Sequence, residues 1–142
     1  MRNYLIKTPV LLKAIYNRCI WHIKDHANSV YLTFDDGPHP TITPFVLDEL
    51  KKFNAKATFF CIGKNVEEHP DIYQRILDEG HAVGNHTYNH LNGWKSENFH
   101  YFKNIGKASQ LIKSNIFRPP YGRISYAQAI GIEKLFPKMK II

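Results

Sequence analysis

Along most of the chain, apolar runs with the period of a strand alternate with apolar positions at helical spacing. Val30, Tyr31, Leu32, Thr33 and Phe34 form a β-branched and aromatic run ending at Asp35-Asp36-Gly37-Pro38, which predicts a strand and then a turn. Thr43 ahead of Pro44 reads as an N-cap with proline at the first helical position, and Phe45, Val46, Leu47, Leu50 and Phe53 continue at helical spacing. A nearly continuous apolar strand is predicted over residues 57–62, closed by Gly63. A helix over 70–79 stops at Gly80, the residue a C-cap prefers, and a short third strand follows over 81–85. A third helix spans 98–113, with Phe102, Ile105, Ala108, Leu111 and Ile112 on one face. Residues 115–117 make a fourth strand into Arg118-Pro119-Pro120-Tyr121-Gly122, which can continue neither regular element. Ser125 caps a fourth helix through Leu135, and residues 138–142 open a fifth strand.

Strands alternating with helices of about ten residues imply an α/β fold, a parallel sheet wrapped by helices as a barrel or an open doubly wound sheet. The lead-in, residues 1–28, has modest helical character between Pro9 and Cys19, and residues 29–142 form the alternating domain. In both architectures chemistry collects at the C-terminal ends of the strands. A complete barrel needs roughly 200 residues or more, and the fifth strand is only beginning at Ile142. The expectation is therefore an incomplete barrel, cut short, whose outer strands keep uncovered and aggregation-prone edges.

Composition narrows the class. At 142 residues the chain is one domain. Its 8 Tyr, 9 Phe and 2 Trp need a core and exclude disorder, while Cys19 and Cys61 are too few for a disulfide scaffold. There is no run of about 20 apolar residues to cross a membrane. Val10-Leu11-Leu12 is broken by Lys13, with no small-residue cleavage site after it, so a cytoplasmic location is the default expectation. The 19 Lys and Arg against 12 Asp and Glu give a formal net charge of +7, which favours anionic partners. The lysines are dispersed from Lys51 to Lys113 rather than gathered on one helix or arm, so nucleic acid is not an expected partner.

Three polar clusters follow three of the predicted strands. In the first, Asp35 and Asp36 are adjacent carboxylates pointing in different directions, so one can bind a metal while its neighbour handles protons. Taken alone, Asp-Asp-Gly-Pro is also an ordinary solvated turn. In the second, His86-Thr87-Tyr88-Asn89-His90, two imidazoles four residues apart on a helical turn share a face and can grip one metal ion. Two neutral imidazoles, one carboxylate and an open position for water suit catalytic Zn²⁺. Alone, the pair is equally compatible with two unrelated histidines. His22, His26, His39, His69, His81 and His100 lack such an arrangement and read as surface or supporting residues. Asn85-His86-Thr87 matches a glycosylation acceptor, an accidental match on a chain without a secretion signal. In the third cluster, Pro119 and Pro120 fix the backbone and with it the direction of the Tyr121 N–H. Arg118 supplies a planar, permanent cation that can clamp a carboxylate. A rigid turn with an Arg ion pair explains that segment equally well.

Taken together and in this order, Thr33-Phe34-Asp35-Asp36-Gly37-Pro38, His86-Thr87-Tyr88-Asn89-His90 and Arg118-Pro119-Pro120-Tyr121-Gly122 resemble the polysaccharide deacetylase (NodB-homology) family of carbohydrate esterases. The resemblance runs from about Val30 to Tyr126 and takes in Ala57-Thr58-Phe59-Phe60 and Gly80-His81-Ala82-Val83-Gly84-Asn85. It implies a distorted (β/α) barrel of parallel strands with helices outside, which removes acetyl groups from N- or O-acetylated glycans with a divalent metal, usually Zn²⁺. By position, it implies Asp36, His86 and His90 as metal ligands and Asp35 as general base. It further implies that Arg118 orients and tunes Asp35, and that the Tyr121 backbone N–H steadies the oxyanion.

The family has two further motifs after its Arg-Pro-Pro-Tyr segment: a carboxylate-and-Trp pair, and a Leu-x-His whose histidine is the general acid. Neither is present before Ile142. A positioned general acid is worth roughly 10²–10⁴-fold in rate, so the metal half of the site is expected intact and turnover impaired. The alternative is a catalytically inactive fragment that retains only metal or carbohydrate binding. A Mg²⁺ phosphohydrolase built on Asp35 and Asp36 is a weaker reading, because imidazoles favour zinc-like metals and no Gly-rich phosphate loop is present. The expected partner is an acetylated glycan or oligosaccharide. Trp94, Tyr88 and Tyr121 are candidates for stacking on its rings, although core packing is the commoner use of such residues.

Overall fold

The computed structural model of the chain describes residues 8–23 and 29–142; residues 1–7 and 24–28, His26 among them, fall outside the described residues. A short helix α1 (Val10–Ile15) leads into β1 (Leu32–Gly37), α2 (Ile42–Lys52), β2 (Ala57–Cys61), α3 (Gly63–Glu68) and α4 (Pro70–Asp78). Then come β3 (Ala82–Asn85), α5 (Asn98–Leu111), β4 (Ile116–Phe117), α6 (Tyr126–Leu135) and β5 (Lys140–Ile141). The strands are all parallel and lie side by side in chain order, forming an open sheet. Parallel neighbours need a crossover of a dozen or more residues, and a helix occupies every one. This is the α/β architecture expected, an unclosed sheet with helices outside.

Successive residues of a strand face opposite sides, so Phe59 and Phe60, both fully buried, show that β2 is covered on both faces. The core divides into two clusters. One gathers Leu47 and Leu50 of α2, Phe59 of β2, Val66 of α3, and Tyr73 and Ile76 of α4. The other joins Tyr101 and Ile105 of α5 to Phe117, Ala129, Ile132 and Ile141.

Three local expectations change. Helix α2 starts two residues before Pro44, because the buried Thr43 is drawn into it and its Oγ1 accepts the His39 N–H at 2.8 Å. Helix α3 has no apolar period of its own, which is why the pattern leaves it unread; only Gly63 and Val66 are buried in it. The outer edge of β5 is partly covered rather than free. Cys19 forms a parallel bridge to Ile141, the Ile20 N–H donates to the Ile141 carbonyl at 2.7 Å, and Tyr16 Oη donates to the Ile124 carbonyl at 3.2 Å. The lead-in thus supplies the β5 edge with a backbone partner. The β1 edge has no further strand among the described residues, and Tyr31 and Leu32 there are exposed.

His81 closes the loop before β3 and is buried. Its Nδ1 accepts the Ala57 N–H at 3.3 Å, so its proton sits on Nε2, which has no hydrogen-bond partner and lies 3.9 Å from Glu79 Oε2. Burial and the neighbouring Lys56 push its pKa below the ordinary imidazole value, with Glu79 opposing them. A histidine with a lowered folded pKa takes up its proton first in the unfolded chain. Stability is therefore full above about pH 6.5 and is lost as pH falls below it. Urea midpoints should drop between about pH 6.5 and pH 5, and His81→Gln should lower that slope by at most about 1.4 kcal/mol per pH unit.

Candidate metal centre and active site

The site begins with a slip in the β1–β2 register. Asp35 pairs with Phe60 and Gly37 with Cys61, leaving Asp36 as an extra residue. Its φ of 68° is left-handed, a conformation that Asp tolerates better than most residues. Such a bulge re-aims a side chain. The strand expected to end before the two acids instead runs through both of them to Gly37. Asp36 Oδ1 comes to 3.3 Å from His86 Nε2 and 3.0 Å from His90 Nε2. Asn65 at the start of α3 secures the bulge, its Nδ2 donating to the Asp36 carbonyl at 2.8 Å.

The two histidines share a target, but they do not lie on a helical turn as the spacing suggested. Thr87 (φ 61°) and His90 (φ 54°) are left-handed, and side-chain acceptors take the backbone N–H groups. The Thr87 N–H donates to Asn85 Oδ1 at 2.8 Å, and the Tyr88 and Asn89 N–H groups donate to Asn104 Oδ1 at 2.8 and 3.0 Å. Asn85 Nδ2 in turn donates to the Ile105 carbonyl and to Ser109 Oγ of α5. A buried histidine with a fixed tautomer results. His86 Nδ1 is 2.6 Å from the Arg118 carbonyl, which can only accept, so Nδ1 carries the proton and Nε2 presents its lone pair. Burial is the largest influence on His86 and pushes its pKa down, against the Arg118 carbonyl, Asp35 and Asp36. The neutral form is the one a metal requires.

Asp36, His86 and His90 offer three ligand atoms lying within 4.8 Å of one another. A tetrahedral zinc with bonds of 2.0–2.1 Å separates neighbouring ligand atoms by about 3.3 Å. The two Asp36 distances match that spacing, and one carboxylate with two imidazoles is a zinc-like donor set. The residues fit a divalent metal.

Asp35 turns the other way. Arg118 Nη1 donates to Asp35 Oδ1 at 2.7 Å and to Thr33 Oγ1 at 3.0 Å, two residues apart on one face of β1. The guanidinium lies 4.0 Å from the Phe60 ring centroid. Phe60 can occupy that position because residue 84 is glycine; a Cβ there would stand 2.4 Å from the ring. Tyr121 has φ 61° and ψ 9°, is exposed, and stands with its ring 4.5 Å from that of His90. The turn is tied by the Gly122 and Arg123 N–H groups, which donate to the Pro119 and Pro120 carbonyls. Among the described residues, four of the five non-glycine residues with positive φ (Asp36, Thr87, His90 and Tyr121) belong to these loops. Such strain costs roughly 1–3 kcal/mol per residue and collects at functional sites.

The structure brings together Asp35, Asp36, His86, His90, Arg118 and Tyr121. It does not bring Trp94 with them; the Trp94 Nε1–H donates to the Ile124 carbonyl at 3.0 Å, and Arg123 lies over the ring. Tyr88 is core, with its hydroxyl on Glu67. Asn85 is fully buried and hydrogen-bonded, so the glycosylation match is closed off. Sequence reasoning missed Asn65, Asn104 and the supporting role of Asn85. For Asn104 a signal existed: a polar residue on the apolar stripe of α5, between Tyr101 and Ile105.

The fold and donor set define an α/β protein with a candidate metal centre at the C-terminal ends of its parallel strands. The chain belongs to the polysaccharide deacetylase family, whose family model matches residues 22–134. It is 46% identical over 101 residues to a peptidoglycan-N-acetylglucosamine deacetylase of Bacillus cereus, covering 67% of this chain and 37% of that protein. It is also similar to the solved structure of the Bc1960 peptidoglycan N-acetylglucosamine deacetylase, with a TM-score of 0.74, 41% identity, and coverage of 80% of this chain and 55% of that one. A second similar structure is that of a BA3943 mutant described as a CE4 family pseudoenzyme, with a TM-score of 0.71, 30% identity, and coverage of 82% of this chain and 45% of that one. The chain thus spans between about a third and about half of the length of these relatives.

Asn104→Ala leaves two N–H groups of the histidine loop without their acceptor. It should cost about 2–3 kcal/mol in urea unfolding and weaken the affinity for a divalent metal, titrated by calorimetry, roughly 10–100-fold.

Proposed function

We propose that this chain is a metal-dependent hydrolase that removes acetyl groups from N-acetylated glycans, with zinc as its metal. The observation that carries this reading is the convergence of Asp36 with His86 and His90, beside an Asp35–Arg118 pair held separately from them. The Bacillus cereus relative is named for peptidoglycan N-acetylglucosamine, and we extend the class of N-acetylated glycan to this chain.

In this reading Asp36, His86 and His90 hold the metal. Bound there, a divalent cation supplies Lewis acidity, lowering the pKa of a water and polarising the acyl oxygen. Asp35 accepts the proton of the attacking water, with its Oδ1 aimed by Arg118. The Tyr121 N–H, preset by its left-handed turn, donates to the oxyanion; one such donor is worth roughly 3 kcal/mol. The departing amine recovers the proton that Asp35 took from the water.

A second reading is metal or glycan binding without turnover. It draws on the similarity to a BA3943 mutant described as a CE4 family pseudoenzyme, but a BA3943 mutant described as having restored enzymatic activity is equally similar.

The full chain should bind zinc by titration calorimetry, and Asp36→Asn or His90→Ala should abolish that binding. Absence of zinc binding by the folded chain would overturn the metal assignment. Asp35→Asn should keep zinc and lower acetate release from an N-acetylglucosamine tetramer by roughly 10²–10⁴-fold. Zinc binding without acetate release by the unaltered chain would instead select the binding-only reading.

A further inference from the structure

A surface groove of about 650 Å³ runs along α5 beside the histidine loop, lined by Tyr88, Asn89, His100, Lys103 and Lys107 among others. Residues 100, 103 and 107 recur at the three- and four-residue spacing that places side chains on one helix face. Lys107 Nζ stands 3.4 Å from the centroid of the Tyr88 ring. The ring holds the ammonium in place without neutralising it, so its N–H donors stay available to a ligand. Neither lysine is in an ion pair among the described residues, whereas Lys52, Lys64 and Arg75 are. Glu67 of α3 accepts the Tyr88 hydroxyl and does not line the groove. The groove therefore offers two ammonium groups and an imidazole with no lining carboxylate. It also shares its wall with the metal loop, since Asn89 immediately precedes His90.

We propose that this groove is a subsite for an anionic oxygen group, a carboxylate or a phosphate, carried on the glycan beside the unit being deacetylated. The proposal rests on the glycan-deacetylase reading of the neighbouring centre. A neutral glycan leaves the charge of both ammonium groups uncompensated, whereas an anionic substituent neutralises them and fixes the register of the polymer against the metal.

The test is calorimetry of the full chain with three N-acetylglucosamine tetramers: the neutral one, one with lactyl ether carboxylates on alternate sugars, and one with a phosphate ester. An anionic tetramer should bind about fivefold more tightly than the neutral one. The anion that gains identifies the group recognised. The advantage should vanish near 1 M salt, where the Debye length is about 3 Å. Lys103→Gln, which leaves the Lys107–Tyr88 contact in place, should remove part of the advantage, and Lys103→Gln with Lys107→Gln all of it. Zinc affinity and neutral-tetramer binding should not change in either variant. Equal binding of the three tetramers would overturn the proposal, as would an advantage that survives the double substitution. Loss of zinc binding or acetate release in the unaltered chain would count against the deacetylase reading alone, because the anion preference is read from binding.

Discussion

One extra residue in β1 is the constraint on which the site depends. Two adjacent acids in a regular strand face opposite sides of the sheet, and no packing of neighbouring loops brings both into one pocket. The bulge at Asp36 turns the second carboxylate toward the histidines while Asp35 keeps the strand face it shares with Thr33. The two carboxylates thereby have different partners, Asp36 the histidines and Asp35 the Arg118 guanidinium, which is the separation that the proposed metal and proton-transfer roles require. A left-handed aspartate is unfavourable, and Asn65 helps to offset this by tying the Asp36 carbonyl to α3.

The histidine loop solves a related problem by different means. An α-helical turn would align His86 and His90 with backbone hydrogen bonds alone. Here Asn85 and Asn104 replace those bonds with side-chain acceptors, which lets Thr87 and His90 take left-handed conformations. Both asparagines are buried, so their hydrogen bonds are strong and costly to break. The same burial favours the neutral form of His86, while the Arg118 carbonyl sets which nitrogen faces Asp36. Arg118 therefore serves both halves of the site, with its side chain on Asp35 and its carbonyl on His86.

Much of this was legible in the sequence because it depends on period and on residue type. The strand-helix alternation could be read directly from apolar periodicity. Clustered Asp, His and Arg marked Asp35, Asp36, His86, His90, Arg118 and Tyr121 as candidates. Each cluster alone also fitted an ordinary turn or unrelated histidines, and only their combination carried the family resemblance. The conformation of residues 86–90 could not. Their four-residue spacing fits a helical turn and a looped clamp alike, and what decides between them is Asn104, distant in sequence and part of α5. The bulge left no mark either, since Asp-Asp-Gly-Pro reads as a turn whether or not the strand runs through it. Helix α3 buries too little surface to impose an apolar period. The contact of Cys19 and Ile20 with β5 joins opposite ends of the chain, which no local pattern reports.

The division of labour in the sheet follows from these placements. All the proposed ligands and polar groups come from the ends of β1, β3 and β4, whereas β2 contributes none and is buried on both faces. It is nevertheless what the polar groups rest on. Phe60 of β2 underlies the Arg118 guanidinium, in space left open by Gly84 of β3. Strained backbone lies in the β1 bulge and in the loops, and the apolar packing that over-determines it lies in the strand between them. A change in β2 would thus reach the candidate active site through the stacking surface of Arg118, while a change in the loops would act on the ligands directly. Rigid strands carrying strained loops hold a carboxylate and two imidazoles close together without a covalent link between them.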